Sequence, residues 1–254
     1  MRNNLCLWVA ALCLCVASPV QLCLAQISDA FRNQMNTIFQ NVNSTPISSG
    51  LLWDYGLELT DVTLYNGVIT SNNYVNLAEW RMLYSSLYTM RFNNNISMTA
   101  PGTVNSQIKS NGMLSTAHNI IALHVRYQKF RSNATSQGVT ISNNQLFCGN
   151  TTAPYETRYA FATTLNHSIL EGKNHRFIFR SALFYNKSGK TISNIKADFG
   201  DGQGYRTISQ NTEVTASYGT QGEKTFKLKI TYTDASVAEG YCKFYVKIPQ
   251  PVSA

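Results

Sequence analysis

The sequence predicts a mainly β protein with a helical N-terminal section, and three observations carry this prediction. Apolar residues recur at helix spacing in the region 26–92. From residue 96 onward, apolar and polar residues alternate in short runs separated by Gly, Asn and Ser. Charged residues make up only 13% of the chain, whereas 72 of 254 positions are Asn, Ser or Thr. This composition excludes coiled coils and disordered tails, and a surface of amides and hydroxyls is common in extracellular β proteins.

Residues 1–25 have the pattern of a signal peptide. Arg2 gives a positively charged start, residues 5–17 form an apolar run of 13 residues, and small residues precede a cleavage site after Ala25. The run is too short to cross a hydrocarbon core of about 30 Å as a helix. We therefore expect an exported protein without a membrane span, either secreted or held on the extracellular face of the cell surface.

The region 26–92 predicts two helices joined by a connector. The first helix follows Ser28, a suitable N-cap residue, and the second covers about residues 76–90. Residues 51–64 between them mix apolar and acidic side chains, which indicates irregular structure. The apolar residues that mark the helices are Phe31, Met35, Ile38, Phe39 and Val42 in the first, and Leu77, Trp80, Tyr84, Leu87 and Tyr88 in the second.

Two β regions are expected to follow. The region 93–158 is predicted to be a β-rich middle segment with strands at 120–130 and 139–147. The region 159–254 contains seven short strands with turn residues between them, a spacing typical of an antiparallel immunoglobulin-like β-sandwich. These seven strands are 159–165, 176–185, 192–199, 205–208, 213–218, 224–232 and 240–248.

The strongest motif is Ala-Asp-Phe-Gly-Asp-Gly at residues 197–202. Alternation along the preceding strand places Phe199 on the same face as Ile195, so Phe199 is expected to point into the core. The following glycines tolerate the positive φ angles of a tight turn, and the side chain of Asp201 can accept hydrogen bonds from turn amides. Asp198 and Asp201 could also bind Ca²⁺, but two carboxylates are too few for that ion, so we favour a structural role.

This motif has a second part, because Tyr218 precedes Gly222 by four residues and an alternating strand follows. The combination resembles the PKD domain (polycystic-kidney-disease repeat) over roughly residues 166–249, although Ala197 replaces the usual Trp of the family. Through the segments Leu-Trp-Asp-Tyr-Gly at 52–56 and Trp-Arg-Met-Leu-Tyr at 80–84, the region 26–150 is similar to the leading part of exported proteins from Gram-negative bacteria that carry such a domain. The resemblance implies an immunoglobulin-like sandwich that serves as a binding or spacer module. The residues that carry it are Asp198, Phe199, Gly200, Asp201, Gly202, Tyr218 and Gly222.

Outward positions of the last two strands form a candidate binding face. They combine basic and aromatic side chains, which suits an acidic glycan or another cell-surface polymer. The alternative is that exposed lysines keep strands from pairing between molecules and keep the protein soluble. No signature of a sequence-specific nucleic-acid reader is present. The residues of the candidate face are Lys227, Lys229, Lys243, Lys247, Tyr241 and Tyr245.

Cys148 and Cys242 are the only cysteines that follow the leader. An oxidising compartment permits a disulfide between them, which would tie the middle segment to the sandwich. The alternative is that each is a buried thiol that acts as a small apolar side chain. The sequence leaves both possibilities open.

Catalytic and metal-binding patterns are weak. Asp54, Glu58 and Asp61 lie beside Trp53, and a glycosidase needs two carboxylates about 5–9.5 Å apart, but acids in a connector are more often solvated or capping. The histidines at 118, 124, 167 and 175 form no standard metal-binding pattern. We therefore expect no metal, no cofactor and no catalytic residues.

The function expected from the sequence is that of an exported, non-catalytic surface or secreted protein used for adhesion, glycan binding or spacing. The alternative is an accessory, non-catalytic part of a secreted hydrolase. A third hypothesis, an independent glycosidase, would depend on Asp54 or Glu58.

Overall fold

The structure, a computed structural model, describes residues 20–93, 96–114 and 116–249, with side chains from residue 30 onward. The protein is mainly β with several helices, which confirms the broad fold class. Most of the predicted signal peptide lies outside the described residues, and residues 20–25 belong to the first helix. Within the described ranges, no helix is both long and apolar enough to cross a bilayer.

Three α-helices precede most of the strands. The second helix, α2 (Leu77–Thr89), begins where the sequence predicts. The Asn76 side chain accepts hydrogen bonds from the backbone N–H groups of Ala78 and Glu79 at 2.8 and 2.9 Å. The Glu79 carboxylate accepts the Asn76 N–H at 2.8 Å and completes a capping box. The helices are α1 (Val20–Phe39), α2 (Leu77–Thr89) and α3 (Pro101–Met113).

Helix α3 lies in a region that was expected to be β-rich. Pro101 occupies its first turn, where the fixed φ angle of proline suits a helix and the missing N–H costs nothing. Val104 and Ile108, one turn apart, are its buried residues. The predicted connector is irregular, with short 3₁₀ helices at Trp53–Tyr55 and Val62–Leu64, and a third lies at Ala134–Gln137.

The described residues form twelve strands in three sheets. The strands are β1 (Asn41–Val42), β2 (His118–Phe130), β3 (Val139–Ser142), β4 (Gln145–Cys148), β5 (Tyr155–Leu165), β6 (Ile169–Glu171), β7 (Asn174–Lys187), β8 (Ile192–Asp198), β9 (Arg206–Thr207), β10 (Glu213–Ser217), β11 (Gly222–Tyr232) and β12 (Val237–Lys247). The sheets have the orders β1-β4-β3, β10-β7-β2-β5 and β6-β12-β11-β8-β9. All seven strands predicted from residue 159 onward are present, and β6 is additional.

The pairings among the seven strands predicted from residue 159 onward are all antiparallel, as expected, but strands outside that set add parallel pairings. Strand β2 pairs in parallel with β7, β6 pairs in parallel with β12, and β1 pairs in parallel with β4. Strand β2 comes from the predicted middle segment, yet it lies between β7 and β5 in the four-stranded sheet. The expected boundary after residue 158 falls inside β5. The region 93–158 therefore contributes a central strand to the same sheet as the strands that follow.

Three buried clusters hold these layers together. The first lies between the four-stranded and five-stranded sheets and contains Ile120, Phe199 and Phe244. The second lies between the other face of the four-stranded sheet and helices α2 and α3, and it contains Ile121 and Trp80. The third joins helix α1 to the three-stranded sheet and the connector. Neighbouring residues of β2 thus belong to different cores.

Residues 65–67 connect the edges of two sheets. The Tyr65 carbonyl accepts the N–H of Phe161 on β5 at 2.6 Å. The Gly67 carbonyl accepts the N–H of Glu239 on β12 at 2.8 Å. The N-terminal region therefore supplies carbonyl acceptors to β5 in one sheet and to β12 in the other, on opposite sides of the first core.

Candidate binding face

The outer face of the five-stranded sheet carries the residues that the sequence singled out for binding. On β11 and β12, every second side chain, including Phe226, Leu228 and Phe244, is buried in the first core. The intervening side chains point away from that core because successive residues of a strand face opposite sides. We define the outer face by these residues: Lys196 and Asp198 on β8; Glu223, Thr225, Lys227 and Lys229 on β11; Glu239, Tyr241, Lys243, Tyr245 and Lys247 on β12.

Each of the four predicted lysines lies beside a carboxylate. Glu223 hydrogen bonds to Lys243 and raises the pKa of its ammonium group. Ion pairs at an exposed surface contribute little stability, but they cancel charge locally. The outer face therefore carries interspersed positive and negative charges rather than a continuous row of positive charges. The N–O distances are 3.6 Å for Lys227–Asp198, 2.7 Å for Lys229–Glu239, 3.0 Å for Lys243–Glu223 and 3.6 Å for Lys247–Glu171.

The two predicted tyrosines differ in accessibility. Tyr245 is 44% exposed, whereas Tyr241 is only 8% exposed. The Tyr241 hydroxyl donates to the Thr70 carbonyl at 2.8 Å, and the Tyr241 carbonyl accepts the Val75 N–H at 3.2 Å. The segment before helix α2 therefore covers Tyr241. Of the two predicted tyrosines, only Tyr245 exposes its ring to a ligand.

Two further tyrosines, which the sequence analysis missed, lie at the outer face. Tyr74 is 41% exposed, with its ring centroid 6.0 Å from that of Tyr241 and 5.3 Å from Lys243 Nζ. Tyr205 is 38% exposed, and Lys229 Nζ lies 5.9 Å from its ring centroid. Tyr74 is far from β12 in sequence and Tyr205 follows a glycine-rich turn, so no local pattern marks either residue. Together with Tyr245, they give this face three exposed aromatic rings.

The glycine-flanked motif packs its aromatic ring into the core and turns the chain between β8 and β9. Phe199 is fully buried, and its ring centroid is 4.9 Å from that of Phe177. Asp198 accepts the Gly200 N–H at 2.9 Å. The Tyr218 hydroxyl donates to the Phe199 carbonyl at 2.8 Å, which links the two parts of the motif.

Asp201, the second aspartate of the motif, is held by an ion pair with Arg206. Its side chain is completely buried, accepts the Gln203 N–H at 3.3 Å, and lies 2.7 Å from Arg206 Nη2. Gly200, Gly202 and Gly222 all have positive φ angles. Asp201 therefore fixes a turn rather than facing solvent.

The two cysteines are not bonded to each other. Cys148 belongs to the third cluster and Cys242 to the first, and both are buried free thiols. Burial raises the pKa of the Cys242 thiol to about 12, which suppresses the reactive thiolate. The disulfide that the sequence left open is absent, and the alternative of buried apolar thiols describes the structure.

The acidic connector borders a cavity of about 550 Å³, which is lined by Trp53, Glu58, Asp61 and Lys129 among others. Asp61 caps the second 3₁₀ helix by accepting the Thr63 N–H at 2.9 Å. Lys129 Nζ lies 4.8 Å from the Trp53 ring centroid and therefore occupies one side of that ring. Asp61 therefore acts as a helix cap, and the position of Lys129 disfavours the stacking of a sugar on the Trp53 ring.

Asp54, the third acid of the connector, does not line this cavity. Its Oδ2 accepts the Phe130 N–H at 2.8 Å, which ties the connector to the end of strand β2. The carboxylates of Asp54 and Asp61 therefore make hydrogen bonds that position the backbone.

Three of the four histidines form a contiguous chain that sequence spacing did not reveal. His118 Nδ1 lies 3.3 Å from His167 Nδ1, and His118 Nε2 lies 3.1 Å from His175 Nδ1. His175 Nε2 lies 3.0 Å from the Gly172 carbonyl oxygen. Burial and the two neighbouring imidazoles lower the pKa of His118 to about 4. Within the described residues, no group of three or more His, Cys, Asp or Glu side chains converges on one ion.

The fourth histidine, His124, is buried beside aromatic rings. Its Nδ1 hydrogen bonds to the Tyr232 hydroxyl. Lys190 lies nearby, 3.0 Å from Asp234, with its Nζ 5.0 Å from the Tyr159 ring centroid. Burial, with a contribution from Lys190, lowers the pKa of His124 to about 4. This cluster joins β2 to the end of β11.

Comparison with known proteins adds no family assignment. No protein-family model matches the chain, and no curated protein matches it. The resemblance to the PKD domain therefore stays a prediction.

Proposed function

We propose that this chain is an exported, non-catalytic protein that attaches to a polysaccharide of a cell surface through its outer face. The observation that carries this proposal is the set of three exposed tyrosine rings, Tyr74, Tyr205 and Tyr245, on one side of a sheet. The opposite side of that sheet is closed by the first core.

The proposal includes an immunoglobulin-like, PKD-like sandwich as the scaffold. Two sheets that enclose one core support it. The hydrogen bond from the Tyr218 hydroxyl to the Phe199 carbonyl also supports it, because this bond joins the two parts of the motif that resembles the PKD domain. A sandwich of this kind presents a broad sheet surface without a deep cleft.

Sugars suit such a face for a physical reason. A tyrosine ring combines an apolar body with a polar hydroxyl, so it can pack against the C–H groups of a pyranose and also hydrogen bond to it. The charged groups between the rings provide donors from lysines and acceptors from carboxylates. Because the four lysines have carboxylate neighbours, ring packing rather than long-range attraction should supply most of the affinity.

Co-sedimentation with insoluble polysaccharides and binding to a glycan array would test the proposal. We expect Tyr205→Ala combined with Tyr245→Ala to weaken binding at least tenfold. Phe147→Ala is the matched control, because Phe147 is an exposed aromatic residue (38%) on the three-stranded sheet. Equal binding by the double variant and the control would overturn the proposal.

The salt dependence of binding distinguishes a polysaccharide that packs against the tyrosine rings from an acidic polymer that binds the lysines. Raising NaCl from about 0.05 M to about 0.5 M shortens the Debye length from roughly 14 Å to roughly 4 Å. We expect binding to change less than threefold over this range. A larger loss would assign the interaction to the lysines and an acidic polymer.

The accessory role for a secreted hydrolase remains the alternative. The same face would then hold a catalytic partner on its insoluble substrate. A hydrolase that loses activity on the insoluble polymer, but not on a soluble fragment, when Tyr205 and Tyr245 are replaced would favour this alternative.

A further inference from the structure

We propose that His118 and His167 bind a divalent transition-metal ion through their Nδ1 atoms, with His175 as the residue that orients His118. The three imidazoles come from separate elements: the start of β2, the loop between β5 and β6, and the start of β7. The site lies outside the proposed binding face and does not depend on its function.

The hydrogen-bond chain fixes which nitrogen of His175, and then of His118, carries a proton. The Gly172 carbonyl can only accept, so the facing His175 Nε2 must be the N–H donor. Neutral His175 then has a lone pair on Nδ1, which accepts a hydrogen bond from His118 Nε2 at 3.1 Å. His118 therefore presents the lone pair of its own Nδ1 toward His167.

The gap between the two Nδ1 atoms fits a metal ion. They lie 3.3 Å apart. Two nitrogens bound to one tetrahedral ion at 2.0–2.1 Å are separated by about 3.3 Å, so the spacing suits two ligands once His167 carries its proton on Nε2 and turns its Nδ1 lone pair toward the ion. Metal-bound histidines usually donate their other N–H to a neighbouring acceptor, which is the arrangement that His175 gives to His118.

The ligand set identifies the class of ion. Neutral imidazoles suit Zn²⁺, Cu²⁺ and Ni²⁺, whereas Ca²⁺ and Mg²⁺ prefer oxygen ligands. His167 is exposed, so water can complete the coordination sphere and the ion can exchange with solvent. A site with two protein ligands is compatible with the absence of a three-residue cluster among the described residues.

A bound ion would anchor the loop that precedes strand β6. His167 lies between the end of β5 and the start of β6, and His118 begins the central strand β2. The ion would thus join the edge of one sheet to the middle of the other. We expect heating in the presence of saturating metal to shift the unfolding midpoint upward, because the ion binds the folded chain.

Calorimetric titration of the full chain, purified without a histidine tag, with Zn²⁺ would test the proposal. We expect one equivalent to bind and His167→Ala to weaken binding at least 100-fold. Because His167 is exposed, this variant should fold. Ser168→Ala, in the same exposed loop, is the control and should bind like the parent.

A second measurement separates ligand from positioning residue. The electron paramagnetic resonance spectrum of the Cu²⁺-loaded chain should show hyperfine coupling to two imidazole nitrogens. His175→Ala should keep both couplings but weaken binding about 10–100-fold. Absence of Zn²⁺ binding by the parent, or unchanged binding by His167→Ala, would overturn the proposal.

Discussion

The two large sheets share one core but differ on their other faces. Helices α2 and α3 cover the outer side of the four-stranded sheet, so β2 is buried on both faces. Among the residues that the structure describes, no helical layer covers the outer side of the five-stranded sheet, which carries exposed tyrosines and ion pairs. The covered, four-stranded sheet is therefore packed on both faces, whereas the open, five-stranded sheet exposes its outer face.

Adjacent aromatic residues of β12 give the sharpest test of this difference. Phe244 is buried between the sheets, whereas Tyr245 is exposed on the outer face. We expect Phe244→Ala to lower the free energy of unfolding by about 3–5 kcal/mol, because it leaves a cavity in the core. Tyr245→Ala should change it by no more than about 0.5 kcal/mol. Urea denaturation measures both values.

The covered sheet provides the counterpart. Ile120 and Ile121 are adjacent on β2, and both are buried in cores on opposite faces. Ile120→Ala and Ile121→Ala should each cost about 2–5 kcal/mol. A small loss for either one would show that its side of the sheet is not packed as described.

Two glycines of the turn between β8 and β9 offer a comparison of intermediate size. Both have positive φ angles, at 69° for Gly200 and 85° for Gly202. A Cβ atom at Gly200 would lie 2.7 Å from the Thr225 carbonyl oxygen, whereas one at Gly202 meets nothing within 4 Å. We expect Gly200→Ala to cost about 2–5 kcal/mol and Gly202→Ala about 1–2 kcal/mol. Equal losses in thermal denaturation would mean that β11 does not approach the turn closely.

The last comparison is a pH dependence at the covered sheet. The pKa of His124 is about 4 in the folded chain, and an unfolded histidine has a pKa of about 6.5. Between these values, the unfolded chain binds a proton that the folded chain does not, so stability falls as the pH falls, by at most about 1.4 kcal/mol per unit. The charged groups near His124 are Lys190 and Asp234.

Urea denaturation at about pH 7 and about pH 5 would measure this slope. His124→Asn should be less stable than the parent at the higher pH, because it disturbs the contact with Tyr232. Its stability should depend less on pH between these two values. An unchanged slope in the variant would assign the pH dependence to other groups.

Local patterns predicted most of the elements, although not helix α3, and they did not predict which strands pair. The inward position of Phe199, the turn at Gly200 and the start of α2 at Asn76 all follow from neighbours in sequence, and the structure confirms them. The parallel pairing of β2 with β7 joins residues about 60 positions apart, so no short-range period encodes it. The unbroken apolar run at residues 120–123 was the available signal, because a strand buried on both faces does not alternate.

The candidate site was predicted only in part for the same reason. Alternation placed the lysines of β11 and β12 on the outer face, but their carboxylate partners Asp198 and Glu171 lie on other strands. Tyr74 reaches the face from the segment before α2, and that segment also covers Tyr241. His118, His167 and His175 meet because β2 and β7 are neighbours, which only the tertiary structure shows.

The short stretch at residues 65–67 has a practical consequence for dissecting this molecule. Its carbonyls satisfy amides on β5 and β12. A fragment limited to residues 159–254 would lose those acceptors, and with them the central strand β2. Strand edges with unpaired N–H and C=O groups can pair with other chains, so such a fragment should self-associate. Useful truncations should therefore retain the N-terminal half.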